Sequence, residues 1–473
     1  MIRTIAYKEF LEMVRDGRFQ WATGIVFVLL LTALAVGWNH YKEISAQHEL
    51  SQNTVRNQWL NQPEQNPHSG AHYGTYAVKP KTFLSSVDTG VEPYVGAAVW
   101  LEAHNQNQFE ARPAEDATAV QRFGQLTAAV VLQLLLPLLI ILVSFSVFAG
   151  EREQGTLRQL ISLGVQPSHL AAGKALGVAG ALGLVLIPAS VIGVIAMTLL
   201  TDLAAATADL GRMFLLGVFY LIYFGFFIGI SLTVSAKARS SRLALVALLG
   251  FWIFNGLIAP RVASDLSRML YPGPSSFEFE AGITEAIAHG LDGKSSYRDV
   301  ERKRRAEVMA QYGVDNARDL PINFAGVRLQ MNEDWGYEVF DKFYGDLYAN
   351  FRRQNRVQQI AAVFAPLLAI RSLSMGLSGT DYYLHQDFAE RAEMHRRLEI
   401  KIINDDITFK GAEAGREYVN GIDVWEKVPP FEYQVKPVSW VLGNHRLSLV
   451  ILLLWLAASG GLLCWATGRI KVG

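Results

Sequence analysis

The side chains best able to do chemistry at neutral pH are histidines. His40, His48, His68, His72, His104, His289, His385 and His395 all lie outside the long apolar runs. His68 and His72 are four apart, a spacing that would put two imidazoles on one helical face for a metal ion. Pro67, Ser69 and Gly70 argue against a helix there, and no HExxH pattern occurs, so no metal site is expected. The one cysteine, Cys464, sits in an apolar run, which excludes an internal disulfide and a thiolate metal site. Ser144, Ser146, Ser190 and Ser231 lie in apolar stretches without a histidine to activate them, so an intramembrane Ser–His pair is not formed. Gly173-Lys174 ends like a phosphate-binding loop. The earlier glycine that loop needs is Ser168, however, and its Ser/Thr is Ala175. The basic run Arg302-Lys303-Arg304-Arg305, flanked by Glu301 and Glu307, is a solvated helix face rather than an anion site. No catalytic residue and no cofactor of the chain's own emerge, so it is not expected to be an enzyme.

What remains is a charged insert, Gly150-Glu151-Arg152-Glu153-Gln154-Gly155-Thr156-Leu157-Arg158-Gln159-Leu160-Ile161, between the apolar runs Thr127–Ala149 and Ala175–Leu200. Thr156 is placed to cap a short helix with Leu157, Leu160 and Ile161 on one face, Gly164 to end it, and Pro167-Ser168 to start the next. With no force-generating chemistry in the chain, this insert is the best-formed place for an outside motor to act. Its working residues are Glu151, Arg152, Glu153, Gly155, Thr156, Leu157, Leu160 and Ile161.

The elements that must position it are membrane spans. The composition, 51% hydrophobic and 18% charged over 473 residues, is that of apolar runs separated by polar segments. Six stretches are long enough to cross a bilayer: 19–38, 125–150, 175–200, 213–236, 243–260 and 446–468. None of their apolar cores, from Trp21–Trp38 to Leu447–Gly468, carries Asp, Glu, Lys, Arg or His, which argues against an ion-coupled pump. Arg3, Lys8, Arg15 and Arg18, then Arg152, Arg158 and Lys174, then Lys237, Arg239 and Arg242, and finally Arg469 and Lys471 fall on one side if the spans number six. By the positive-inside rule both termini and the insert are cytoplasmic in a bacterial inner membrane. Ala33-Leu34-Ala35 resembles a signal-peptidase site, but cleavage there would leave the C-terminal charges on the wrong side. Zero net charge argues against nucleic acid as a partner.

Residues 1–18 form an amphipathic helix with Ile2, Ile5, Ala6, Phe10 and Met13 on one face and Lys8, Glu9, Arg15 and Asp16 off it. Residues 39–124 and 261–445 are extracytoplasmic. In the first, Asn39–Asn61 prolongs span one, a helix lies near Val95–Asn105, and Ala114–Phe123 leads into span two. In the second, helices cover Ser296–Tyr312, Asn332–Ala365 and Asp381 to about Asn404, and Ile360–Ile370, broken at Pro366, packs under the domain or at the membrane surface. The chain after Phe409 is extended. The expected fold is an all-α membrane protein with six transmembrane helices, a cytoplasmic N-terminal amphipathic helix, a cytoplasmic coupling segment at 151–174 with a short coupling helix after the second span, and a mainly helical extracytoplasmic domain.

Six spans and Gly150-Glu151-Arg152-Glu153-Gln154-Gly155-Thr156-Leu157 directly after the second, continuing through Ser162-Leu163-Gly164-Val165 to Gly173-Lys174, resemble the type 2 ABC-transporter permeases. Asp88-Thr89-Gly90, Leu101-Glu102-Ala103-His104 and Ser378-Gly379-Thr380-Asp381 resemble a subgroup with enlarged periplasmic domains. The resemblance implies a permease subunit working with cytoplasmic ABC ATPase subunits, which hold the ATP and Mg²⁺. It also implies a second permease copy, as homo- or heterodimer, with a periplasmic protein as a further partner. The function it implies is ATP-driven export or mechanical work across the membrane. The alternative is a membrane-anchored extracytoplasmic binding or sensor protein without transport.

Overall fold

The computed structural model describes residues 1–116, 126–200 and 203–470. The N-terminal helix α1 (Ile2–Arg15) turns at Asp16 into α2 (Gly17–Leu60). A short helix α3 (Pro67–Tyr73) and strands β1 (Thr75–Val78), β2 (Ala98–Leu101) and β3 (Gln106–Glu110) follow. Then come α4 (Ala128–Glu153), α5 (Thr156–Ser162), α6 (Pro167–Leu200), α7 (Leu203–Lys237) and α8 (Ser241–Leu270). The region beyond holds α9 (Ser276–His289), α10 (Tyr297–Tyr312), α11 (Phe324–Ala361), α12 (Pro366–Ser378) and α13 (Tyr382–Lys410), and α14 (Val438–Gly468) closes the chain. Among the described residues, six helices are long and apolar enough to cross a membrane: α2, α4, α6, α7, α8 and α14. The protein is an all-α membrane protein carrying one small antiparallel sheet, ordered β1-β2-β3.

Prolines shape two of these helices. Pro137 in α4 has no N–H for the carbonyl of Gln133. A π turn over Val131–Leu135 precedes it, and the Tyr223 hydroxyl of α7 donates to the freed carbonyl at 3.1 Å. Pro260 in α8 follows a second π turn, Phe254–Ile258. There the Asn255 side chain accepts from the backbone N–H of Leu367 at 3.0 Å, joining the spans to α12.

α12 is almost wholly buried and packs against α7 and α14. Polar side chains seal it. Ser374 donates to Asp88 at 2.5 Å and lies 3.0 Å from the Tyr220 hydroxyl, to which Gln133 donates at 3.1 Å. Ser372 meets His445 Nδ1 at 2.8 Å, and His445 Nε2 meets Asp381 at 2.7 Å. Beyond α12, α11 and α13 pair, and Ile400, Ile403 and Ile407 of α13 bury Trp59 from the end of α2 and Trp425 in one small core.

Several expectations are corrected. Residues near Val95–Asn105 form strands, because Val99 and Leu101 turn inward while Ala98 and Trp100 do not, a period of two rather than 3.6. Pro67, Ser69 and Gly70 do not prevent a helix at His68 and His72. Asn66 caps α3 by accepting from the His68 N–H, and Pro67 occupies the first turn, where its missing N–H costs nothing. Glu9 is not off the buried face of α1 but in the middle of it. α7 begins at Leu203, ten residues ahead of the span expected at 213–236. α8 runs ten residues past Pro260, because Ala259, Ala263 and Ser267 supply a buried stripe against α11. Most of Ala114–Phe123 lies outside the described residues.

Candidate functional site

Successive residues of a helix point about 100° apart, so three in a row reach in three directions. Glu151, Arg152 and Glu153 at the end of α4 do this, and each meets a different helix. Glu151 accepts from Lys174 of α6 at 2.9 Å and from Lys8 of α1 at 3.5 Å. Arg152 donates to the carbonyls of Ala238, at 2.7 Å, and of Ser235 and Ala236, capping the end of α7, where carbonyls lack helical partners. Glu153 accepts from the Ser241 N–H and hydroxyl, both at 2.8 Å, at the start of α8, where a carboxylate also suits the helix dipole.

Glu9 of α1 completes the junction, accepting from Lys174 at 2.6 Å. The Lys174 side chain is 1% exposed and that of Glu9 6%. Burial pulls the Lys8 ammonium down, but the carboxylates of Glu9, Glu12 and Glu151 outweigh it and hold its pKa above the ordinary value. α1 comes this close because Gly173 and Gly177 face it. A Cβ on Gly177 would stand 2.6 Å from the Glu9 Cβ, and one on Gly173 the same distance from Ile5. The glycine beside Lys174 thus belongs to a helix contact, not to a phosphate loop.

After Glu153 the chain reverses at Gly155, whose φ of +76° is a conformation side chains resist. Gly155, not Thr156, holds the cap position of α5. The Thr156 hydroxyl instead donates back to the Glu151 carbonyl at 3.2 Å. Leu157 is buried in the main core, and Leu160 and Ile161 pack partly against it. Gly164 ends α5, its N–H donating to Ile161 and that of Val165 to Leu160.

The predicted residues therefore divide. Glu151, Arg152, Leu157, Leu160 and Ile161 seat the segment against the bundle. Glu153 and Gly155 are exposed, together with Gln154, Arg158, Gln159, Ser162 and Leu163, the last at 80%. Charge alone set Glu9 off the apolar face of the N-terminal helix and left Lys174 without a partner in the sequence. The signal was present, since Glu9 stands between Ile5 and Met13 at helical spacing, inside the apolar stripe.

Of the three short motifs singled out beyond the spans, Asp88-Thr89-Gly90 and Ser378-Gly379-Thr380-Asp381 meet in space. The N–H of Val91, next to Asp88-Thr89-Gly90, donates to the Thr380 carbonyl at 2.9 Å. The Glu102 carbonyl, in Leu101-Glu102-Ala103-His104, accepts from Arg396 at 3.0 Å.

Residues 3–275 match the family described as ABC-2 family transporter protein, and residues 277–434 match a domain of unknown function (DUF3526). Comparison with curated proteins finds no match. The first match takes in five of the six span helices, the charged junction and the exposed face of α5, so the chain belongs to the ABC-2 family of transporter proteins, as a membrane permease subunit of an ABC transporter.

Proposed function

We propose that residues 151–164 receive the stroke of a separate cytoplasmic ATPase, which carries the ATP and Mg²⁺, and pass it to the spans. The observation that supports this most is the division within the segment. Three consecutive charges tie it to four helices, while its other side offers Gln154, Arg158, Gln159 and Leu163 to solvent. A push on such a surface moves α1, α6, α7 and α8 together, as a rigid-body switch biased by nucleotide requires. In this reading the basic flanks put the segment and both termini in the cytoplasm, and the chain works as a homo- or heterodimer of permeases in the inner membrane. Residues 261–445 then form a periplasmic domain, which also fits the subgroup with enlarged periplasmic domains.

Of export and mechanical work on a periplasmic protein, the buried polar seal around α12 favours the second. Asp88, Ser374, Tyr220 and Gln133 link two spans to the distal region by a continuous chain of hydrogen bonds within that packing. The test is co-expression with a candidate ABC ATPase, purification, and assay of ATP hydrolysis together with function. Glu151→Ala and Gly155→Trp are expected to insert normally and to uncouple hydrolysis from function. Wild-type coupling in both, or failure of any ATPase to bind the chain, would remove the assignment.

A further inference from the structure

We infer that His68, His72 and His104 form a binding site for one divalent transition-metal ion of the zinc type, in the region distal to the spans. The three imidazole centroids make a nearly equilateral triangle of 4.9, 4.9 and 5.1 Å. One ring nitrogen from each lies within 4.8 Å of the other two, and His68 Nε2 stands 3.0 Å from His104 Nε2. A tetrahedral ion with nitrogens at about 2.0–2.1 Å needs donors roughly 3.3 Å apart, which small rotations of these side chains, His72 being exposed, provide.

The site is built rather than accidental. α3 supplies two ligands at i and i+4. The third sits at the tip between β2 and β3 with φ +69°, left-handed backbone that a side chain adopts at a cost. Two hydrogen bonds hold it there: the Ala103 N–H to the Ala71 carbonyl at 3.2 Å, and the His104 N–H to Glu333 at 2.8 Å. Glu333, nearly fully buried, also stands 2.7 Å from His104 Nδ1 and is itself held by Arg396 at 3.2 Å. A carboxylate only accepts, so Nδ1 carries the proton and Nε2 turns its lone pair toward the other two rings. Carboxylate–histidine pairs of this kind orient metal ligands. The Asn332 amide, 3.0 Å from the same Nδ1, then presents its oxygen to it.

The ion also resolves two unpaired buried atoms. Without it, His68 must donate through Nε2 to His104, which leaves His68 Nδ1 bare and the neighbouring Asn404 Oδ1 without a donor among the described residues. With the ion on Nε2, the His68 proton moves to Nδ1 and faces Asn404. Three neutral nitrogens without a carboxylate suit zinc-like ions and not calcium or magnesium, and three protein ligands leave a fourth position open. The ligands come from the region matching the ABC-2 family, and Glu333, Asn332 and Arg396 from the DUF3526 region, so the ion would pin one to the other.

The experiment uses the full chain without a polyhistidine tag, in detergent, stripped with chelator and equilibrated with Zn²⁺, with Co²⁺ as the spectroscopic probe. One ion per chain and the visible absorption of tetrahedral Co²⁺ are expected. Both should be lost in His72→Ala, whose side chain is exposed and not needed for folding, and in His104→Ala. Glu333→Gln should weaken binding about 10–100-fold. Sub-stoichiometric binding, or binding that survives both histidine changes, would overturn the site.

Discussion

Lys174 carries the most consequence of any single residue. Its ammonium is buried between Glu9 and Glu151. Removing one member of a buried ionic cluster strands the others, at about 3–5 kcal/mol. Lys174→Met should therefore lower the thermal midpoint strongly in detergent. The triple change Glu9→Gln, Lys174→Met, Glu151→Gln should cost much less than the sum of its parts, because no charge is left unpaired. Equal losses would show that the cluster is screened by solvent. Glu399 of α13 provides a pH-dependent counterpart. Burial lifts its pKa from 4.5 to about 8, with one oxygen held by Thr75 at 3.3 Å. The folded protein thus keeps a proton that the unfolded chain releases, so stability falls as pH rises from about 4.5 to 8. Glu399→Gln should flatten that slope and raise the midpoint at pH above about 8, as scanning unfolding across pH would show.

At the scale of elements, α5 gives the sharpest test, because its two sides make different predictions. Leu163→Asp and Arg158→Glu change only exposed positions, so insertion and thermal stability should stay as in the parent while stimulation of the partner ATPase drops. Leu157→Asp puts a charge in the core and should lower stability itself. Gly155→Ala meets no atom within 4 Å, yet forces a side chain into left-handed backbone at about 1–2 kcal/mol. If the exposed substitutions left stimulation untouched, the contact face would lie elsewhere.

The span helices and the long helices α10, α11 and α13 were legible because long, strongly periodic or apolar runs allow few alternatives. The sheet was not: strands as short as four residues give a period of two little room to show against helix-forming neighbours. The histidine triangle was hidden for another reason. His68 and His72 announce a pair, but His104 reaches them only through a hairpin whose register sequence spacing does not encode. Among the junction residues, Glu151 and Arg152 were singled out for their place after span two, whereas their partners Lys174 and Ala238 depend on how the helices pack.

At the scale of the whole molecule, the contacts that hold the distal domain to the spans include the stripe of α8 against α11, the polar seal of α12 and the far end of α2. At the last of these, Trp59 donates to the Trp425 carbonyl at 2.9 Å and stacks edge-on against its ring, and Arg56 donates to the Val428 carbonyl at 2.7 Å. Trp425→Ala empties a fully buried site and should cost about 3–5 kcal/mol. Limited proteolysis should then cut faster within 411–437 while the six spans stay protected. Uniform cleavage would mean that the two parts unfold as one.

α2 has 44 residues without a break, about 66 Å of rod, more than twice the thickness of a bilayer's hydrocarbon core. Its lower end is hinged at Asp16 to α1, which is clamped to Lys174, and its upper end holds the tryptophan pair. Such a rod is a lever with a long arm. A tilt of about 5° at the hinge swings the tip sideways by roughly 6 Å for a helix of this rise. On the proposed reading, a displacement too small to open a pore at the base would be geared up to about the pitch of a helical turn at the far end.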